Sequence, residues 1–251
     1  MHTQPFKYSP SVWIVPTLLT LSLWMIFFID HFFNFDLNRF GIAPRTFLGL
    51  IGLFFSPFLH NDLSHIANNT IPLFIFTMAL VYFYRDLSLK VLLFGALFSG
   101  FFTWIIGRSG NHIGASGLIY VLFSFLFFKG FFSKHYRLTA LSFAIILVYG
   151  GMVWYVFPQP VALIANQDIS WEGHLSGLIT GLLFALYYKT PVYVSENRYD
   201  WQDADFDPQF DDFMKHFDQD GNFAPKLPQD APSDILIEVP KIVYHLKADN
   251  V

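Results

Sequence analysis

Six long hydrophobic runs, broken by short polar connections, occupy the chain from its start to about Lys189. The first, Val12 to Ile29, closes on Asp30 and His31. It exceeds the roughly 7–15 apolar residues of a signal peptide and ends without small residues to cut at, so it reads as a retained membrane span. Pro16 falls in its first turns, where proline is tolerated. The second run extends from Ser64 to Tyr84, with Pro72 expected to bend it. The third covers Val91 to Ile106, the fourth His112 to Phe132, and the fifth Leu138 to Phe157, loosened by Gly150-Gly151. The sixth covers Trp171 to Tyr188. Each is near the ~20 residues that cross a bilayer as a helix.

The connections differ in character. Asn34 to Leu63 is a long loop with turns at Asn38-Arg39-Phe40-Gly41 and Ala43-Pro44-Arg45. Within it, Thr46 to Phe55 is apolar but too short to span, and is expected in the interface. Tyr84 to Lys90 and Ser133 to Arg137 read as charged connections, Gly107 to Asn111 as a short turn, and Pro158 to Ser170 as a loop. After Thr190 the apolar pattern stops. The pattern therefore predicts an all-α membrane protein with a six-span bundle in residues 1–190 and a flexible acidic tail in residues 191–251.

Composition sharpens this division. Charged residues are 14% of the chain, against about 25% for an average soluble domain. Residues 1–190 hold ten Lys+Arg and six Asp+Glu; residues 191–251 hold five and thirteen. The net charge of −4 thus averages a mildly basic region with a strongly acidic one, and neither suits nucleic acid. The absence of Cys excludes disulfides, a thiolate nucleophile and Cys-ligated metal. Asp218-Gln219-Asp220-Gly221-Asn222 resembles a calcium loop only faintly, because the alternating ligands and distal Glu are missing. No metal or other cofactor is expected. Ile235-Leu236-Ile237 reads as a short strand or a partner-binding patch.

Charge placement also sets an expected orientation. With the N-terminus cytoplasmic, the inner segments hold Lys7, Arg85, Lys90, Lys129, Lys134, Arg137 and Lys189, and the outer ones Arg39, Arg45 and Arg108. The positive-inside rule favours this arrangement, with both termini inside.

Three polar stretches interrupt otherwise apolar spans: His65-Ile66-Ala67-Asn68-Asn69, Gly114-Ala115-Ser116-Gly117 and Gly173-His174-Leu175-Ser176-Gly177. The orientation places all three near the outer ends of their helices. At 1.5 Å per residue, that is about 5–10 Å below the surface. Ionisable groups within spans are functional candidates by default. His65 and Asn69 are i,i+4 and share a helix face, as do Ser116 and Tyr120. Gly173, Gly177 and Gly181 form a small-residue ridge beside His174, which allows close helix approach. Small-residue clusters also occur for packing alone.

Taken together, these residues suit serine nucleophile chemistry. A serine hydroxyl needs a base, and His174 fits that role for Ser116. The oxyanion formed on attack needs aimed donors, which Asn69, His65 and the Ser116 backbone N–H can supply. Glu172 is adjacent to His174 in sequence but points elsewhere on a helix, so a dyad is the simpler reading.

The constellation resembles the rhomboid family of intramembrane serine proteases. The match rests on His60-x4-His65-x3-Asn69, Gly114-Ala115-Ser116-Gly117 and Gly173-His174-x2-Gly177, and covers about Val12 to Lys189. The resemblance implies the basic bacterial six-span form in the inner membrane, with Ser116 as nucleophile and His174 as base. It further implies an oxyanion site at Asn69 and His65, and Tyr120 packed on the His174 ring. Gly114, Gly117 and Gly177 would be supporting residues. The implied partners are single-span membrane proteins, cut near the outer membrane face after a small residue. Some members carry a Trp-Arg pair in the first outer loop; Asn34 to Leu63 contains none.

Two other functions compete. A non-catalytic rhomboid-like protein that escorts membrane helices would generally lack the serine or the histidine, and both are present. A small transporter would place its site near the midplane between repeated halves. Here the polar layer is off-centre, and no repeat is visible.

Overall fold

The computed structural model describes Phe6, residues 8–158 and 170–189, Tyr199, and residues 205–207, 211–218 and 220–224. The interior of the loop before the sixth run, Ile235-Leu236-Ile237 and most of the acidic tail lie outside these residues. The chain forms two units, residues 1–194 and 195–251.

The first unit is helical. Its helices are α1 (Ser11–Phe33), α2 (Gly52–Phe55), α3 (Leu63–Phe83), α4 (Arg85–Ile106), α5 (Ser116–Phe131), α6 (Tyr136–Tyr149) and α7 (Trp171–Tyr187). Short 3₁₀ turns cover Leu37–Phe40, Leu48–Leu50 and Ser56–Phe58, and a longer one, Gly150–Val156, continues α6.

The centre is α5, which is buried on every side from Leu118 to Leu126. A helix that is apolar all round belongs inside a core. It packs against α3, α4, α6 and α7, most extensively against α7. That last contact is backbone against backbone. A Cβ on Gly177 would lie 2.2 Å from the Gly117 carbonyl oxygen, and one on Gly181 would lie 2.3 Å from that of Val121. Small polar residues bind the helices further: Ser124 donates to the Leu178 carbonyl at 2.6 Å, and Ser142 to that of Phe127 at 2.7 Å.

The outer surface is apolar. Trp13, Leu18, Met25 and Phe32 of α1 and Phe143 and Leu147 of α6 are exposed. Among the described residues, four helical stretches are long and apolar enough to cross a membrane: Ser11–Phe33, Leu63–Phe83, Arg85–Ile106 and Tyr136–Val156.

Several elements differ from the sequence expectation. The charged stretch from Arg85 to Lys90 forms the first turns of α4, so Tyr84 alone separates α3 from α4. Thr46 to Phe55, for which the sequence offers no element, winds as a 3₁₀ turn at Leu48–Leu50 followed by the one-turn helix α2. The fourth run becomes helical only at Ser116, because His112 is paired with Ile42 and Gly114 has φ +108°. α5 is therefore 16 residues; α7 is 17, and both are shorter than the four stretches named above. Lys129, one of the charges assigned to the inner segments, is buried, and its ammonium donates to the carbonyls of Ala185 and Tyr188.

In the second unit, the described part of the tail contains a 3₁₀ turn at Met214–His216 and a bridge between Phe217 and Phe223. The Asp218 carboxylate accepts the backbone N–H groups of Asp220 and Asn222 at 2.9 and 2.8 Å. These bonds close an Asx-type turn upon itself. Among the described residues no cluster of three His, Asp or Glu is arranged to hold a metal ion.

Candidate functional site

Ser116 is the first residue of α5 and is half-buried. Its backbone N–H therefore has no partner within the helix. The segment leading to it is held from two sides. His112 exchanges both backbone hydrogen bonds with Ile42 at 2.9 Å, and Gly114 N–H donates to the Ser56 carbonyl at 2.8 Å. Gly114 occupies a left-handed conformation that side chains rarely adopt, φ +108°. A Cβ there would meet His65 Nε2 at 2.6 Å and Asn69 Nδ2 at 3.6 Å. The backbone just before Ser116 thus lies directly against the two polar residues of α3.

His65 and Asn69 share one face of α3. Asp62 caps this helix, accepting the His65 backbone N–H at 2.8 Å. Asn69 is 7% exposed, and its Nδ2 has no hydrogen-bond partner among the described residues. Burying an unsatisfied amide donor costs about 1–3 kcal/mol, so a donor left in this state needs an explanation. His60 stands edge-on to His65 at 4.9 Å between ring centres. Burial, aided by the neighbouring His65, lowers the His60 pKa to about 4.

His174 lies in the first turns of α7 and is 8% exposed. Its ring stacks on Tyr120 at 4.3 Å with 16° between planes. Its Nδ1 is 2.9 Å from the Tyr155 carbonyl oxygen. A carbonyl can only accept, so Nδ1 carries the proton and Nε2 is the unprotonated nitrogen of the neutral ring. The Tyr120 hydroxyl donates to the Met152 carbonyl at 2.7 Å. Both members of the ring stack are therefore tied to the 3₁₀ turn after α6. Sequence reasoning missed these partners because they act through backbone atoms; Gly150-Gly151 was the one sign of a break there.

The first turns of α5 and α7 meet where Gly117 faces Gly173 and Gly177. A small cavity of about 30 Å³ opens beside them, lined in part by Ser99, Thr103, Ser116, Ser170 and Gly173. Glu172 is 1% exposed, and its carboxylate is engaged by Arg108. It accepts the Arg108 backbone N–H at 3.2 Å and stands 3.8 Å from the Arg108 guanidinium.

Spanning-length apolar helices around a buried central helix, with a lipid-compatible surface, define a multi-pass helical membrane protein. The chain belongs to the rhomboid family, whose members are generally intramembrane serine proteases: the Rhomboid domain matches residues 48–190. It is also similar to an uncharacterised protein of Mycobacterium tuberculosis, 33% identical over 191 residues, covering 71% of this chain and 78% of the relative. An uncharacterised protein of Mycobacterium leprae is 32% identical over 185 residues, covering 70% and 71% of the two chains.

Proposed function

We propose that the protein is an intramembrane serine endopeptidase that cuts single-span membrane proteins near the outer membrane face. Ser116 is the nucleophile and His174 the general base. The observation that carries this reading is the His174 ring, whose Nδ1 is engaged by the Tyr155 carbonyl so that Nε2 is left to take a proton. The carbonyl and the Tyr120 stack perform the orienting task that a carboxylate performs in a triad.

In the reaction, Ser116 Oγ attacks the scissile carbonyl and its proton passes to His174 Nε2. The oxyanion is met by Asn69 Nδ2–H, the His65 ring and the Ser116 backbone N–H. Collapse of the tetrahedral species breaks the peptide bond, and His174 returns the proton to the leaving amine. Water then attacks the acyl-enzyme by the same route, releasing the acid and restoring Ser116. The unpartnered Asn69 amide supports this assignment, since it is a donor with no structural bond to give up. Gly114 and Gly117 leave the approach to Ser116 open, and Gly177 lets α7 close on α5.

The same reading makes α1 and α3 to α7 six spans, in a catalytic unit of residues 1–190. Both termini and the acidic tail of residues 191–251 lie in the cytoplasm, and the bundle lies in the bacterial inner membrane. The test is cleavage of a tagged single-span protein in proteoliposomes by wild type and Ser116→Ala. Wild type cleaves and is labelled by a fluorophosphonate; Ser116→Ala does neither while keeping its unfolding temperature. Cleavage by Ser116→Ala at the wild-type rate would falsify the assignment.

A further inference from the structure

The segment carrying Ser116 and the helix carrying His174 are joined by a polar strap that the reaction scheme does not use. His112 is 8% exposed, and both of its ring nitrogens are engaged. Nε2 is 3.0 Å from the Arg108 carbonyl, and Nδ1 is 2.6 Å from Ser170 Oγ. Ser170 is the N-cap of α7 and accepts the Gly173 backbone N–H at 3.1 Å.

Proton placement follows. The Arg108 carbonyl can only accept, so Nε2–H donates to it, and in the neutral ring Nδ1 is an acceptor. The Ser170 hydroxyl then accepts from Gly173 and donates to His112. Every polar atom in the chain of contacts is satisfied, in one direction only. Two residues on, Glu172 grips the same loop through the Arg108 backbone N–H and guanidinium.

The register of this strap matters. His112 precedes Ser116 by four residues, and Ser170 precedes His174 by four. Each residue is anchored to the rest of the molecule: His112 by its backbone pair with Ile42, Ser170 by capping the helix it opens. We propose that the His112–Ser170 hydrogen bond is a positioning device that sets the approach of Ser116 to His174. This rests on the protease reading given above. It assigns no contact with substrate to either residue. Both act through the backbone that leads to the reacting side chains.

The two helices also touch at Gly117, next to Ser116, and Gly177, three residues beyond His174. That contact fixes how close α5 and α7 come. The strap fixes the segments that lead into them, four residues before each reacting side chain. Misplacement of such atoms by about 1 Å costs as much as 10²-fold in rate.

The test is kcat and KM for cleavage of a tagged single-span protein in proteoliposomes, with the rate of fluorophosphonate labelling as a second readout. Glycine caps helices nearly as well as serine, so Ser170→Gly removes the bond to His112 while α7 keeps its start. Ser170→Gly is expected to lower kcat and the labelling rate about ten- to a hundredfold, with KM unchanged. Ser170→Thr, which keeps the hydroxyl, restores kcat to within about threefold of wild type. His112→Phe gives the same loss, and the double variant loses no more than either single one. Wild-type kcat in Ser170→Gly, or an equal loss in Ser170→Thr, overturns the proposal. If His112→Phe does not fold, the two Ser170 variants decide it alone. An inactive, unlabelled wild type would instead sink the protease reading itself.

Discussion

Gly177 lies so close to Gly117 that its Cα hydrogen, replaced by a methyl group, would sit 2.2 Å from the Gly117 carbonyl oxygen. The reverse substitution is different. A Cβ on Gly117 meets nothing nearer than Ser99 Oγ at 3.5 Å and the Gly173 carbonyl at 3.7 Å. The two glycines of one contact therefore differ in tolerance. Gly177→Ala is expected to cost about 3 kcal/mol or more, since the clash is with backbone that cannot rotate away. Gly117→Ala is expected to fold normally, and Gly117→Leu to block the approach to Ser116. Thermal unfolding in detergent, paired with cleavage, checks all three; equal destabilisation by the two alanines would contradict the geometry.

Asn69→Ala separates catalysis from stability. Its amide nitrogen makes no internal hydrogen bond among the described residues. As an oxyanion donor its loss is expected to lower kcat by about 10²–10³. The unfolding temperature is expected to stay level or rise, because an unsatisfied buried donor is removed. A large loss of stability with unchanged kcat would show the amide to be structural.

Tyr120 does two separable things. Its ring lies on His174, and its hydroxyl holds Met152. Tyr120→Phe keeps the stack and forfeits one hydrogen bond, with an expected cost of about 1 kcal/mol and a severalfold drop in kcat. Tyr120→Ala loses both, with an expected cost of about 3–5 kcal/mol. If Phe and Ala reduce cleavage equally, the hydroxyl rather than the stack holds the ring.

His60 gives the folded state a dependence on pH. Its pKa in the folded protein is about 4, against 6.5 for the free side chain, because burial and the adjacent His65 disfavour the charged form. Folding therefore excludes a proton that the unfolded chain accepts. The stability is present in full above about pH 6.5 and is lost as the pH falls towards 4, amounting to about 3 kcal/mol at the lower end. Asp62, close by, opposes the shift. Unfolding temperatures at pH 7 and pH 4.5 are expected to differ more for wild type than for His60→Asn; equal differences would remove His60 as the source.

The hydrophobic runs made most of the helices legible, because lipid allows long apolar segments no other regular structure. Polar residues inside those runs marked Ser116, His174, His65 and Asn69 as a set. What escaped was set by contacts distant in sequence. The start of α5 depends on His112 pairing with Ile42 and on the backbone of Gly114, neither visible in a local pattern. The first turns of α4 carry Arg85, Asp86 and Lys90, which read as a connection. Yet an acid in the first turn of a helix is favourable, and one residue is enough to reverse the chain. Lys129 counts by sequence among the inner-segment charges, yet its ammonium is taken up by the carbonyls of Ala185 and Tyr188 at the end of α7, residues more than fifty positions away. The partners of Tyr120 and His174 are main-chain atoms, on which side-chain chemistry is silent.

The tighter winding after α6 acts as a ruler. A 3₁₀ turn rises about 2.0 Å per residue against 1.5 Å for an α-helix, so the seven residues from Gly150 to Val156 reach about 14 Å instead of about 10 Å. With three residues per turn, Met152 and Tyr155 also fall on one line along the axis, where an α-helix would set them about 60° apart. Their oxygens can then address two stacked rings from one direction. Rewinding this segment by a single α-turn would withdraw both oxygens together, so the length of the winding and the protonation pattern of His174 are one variable rather than two.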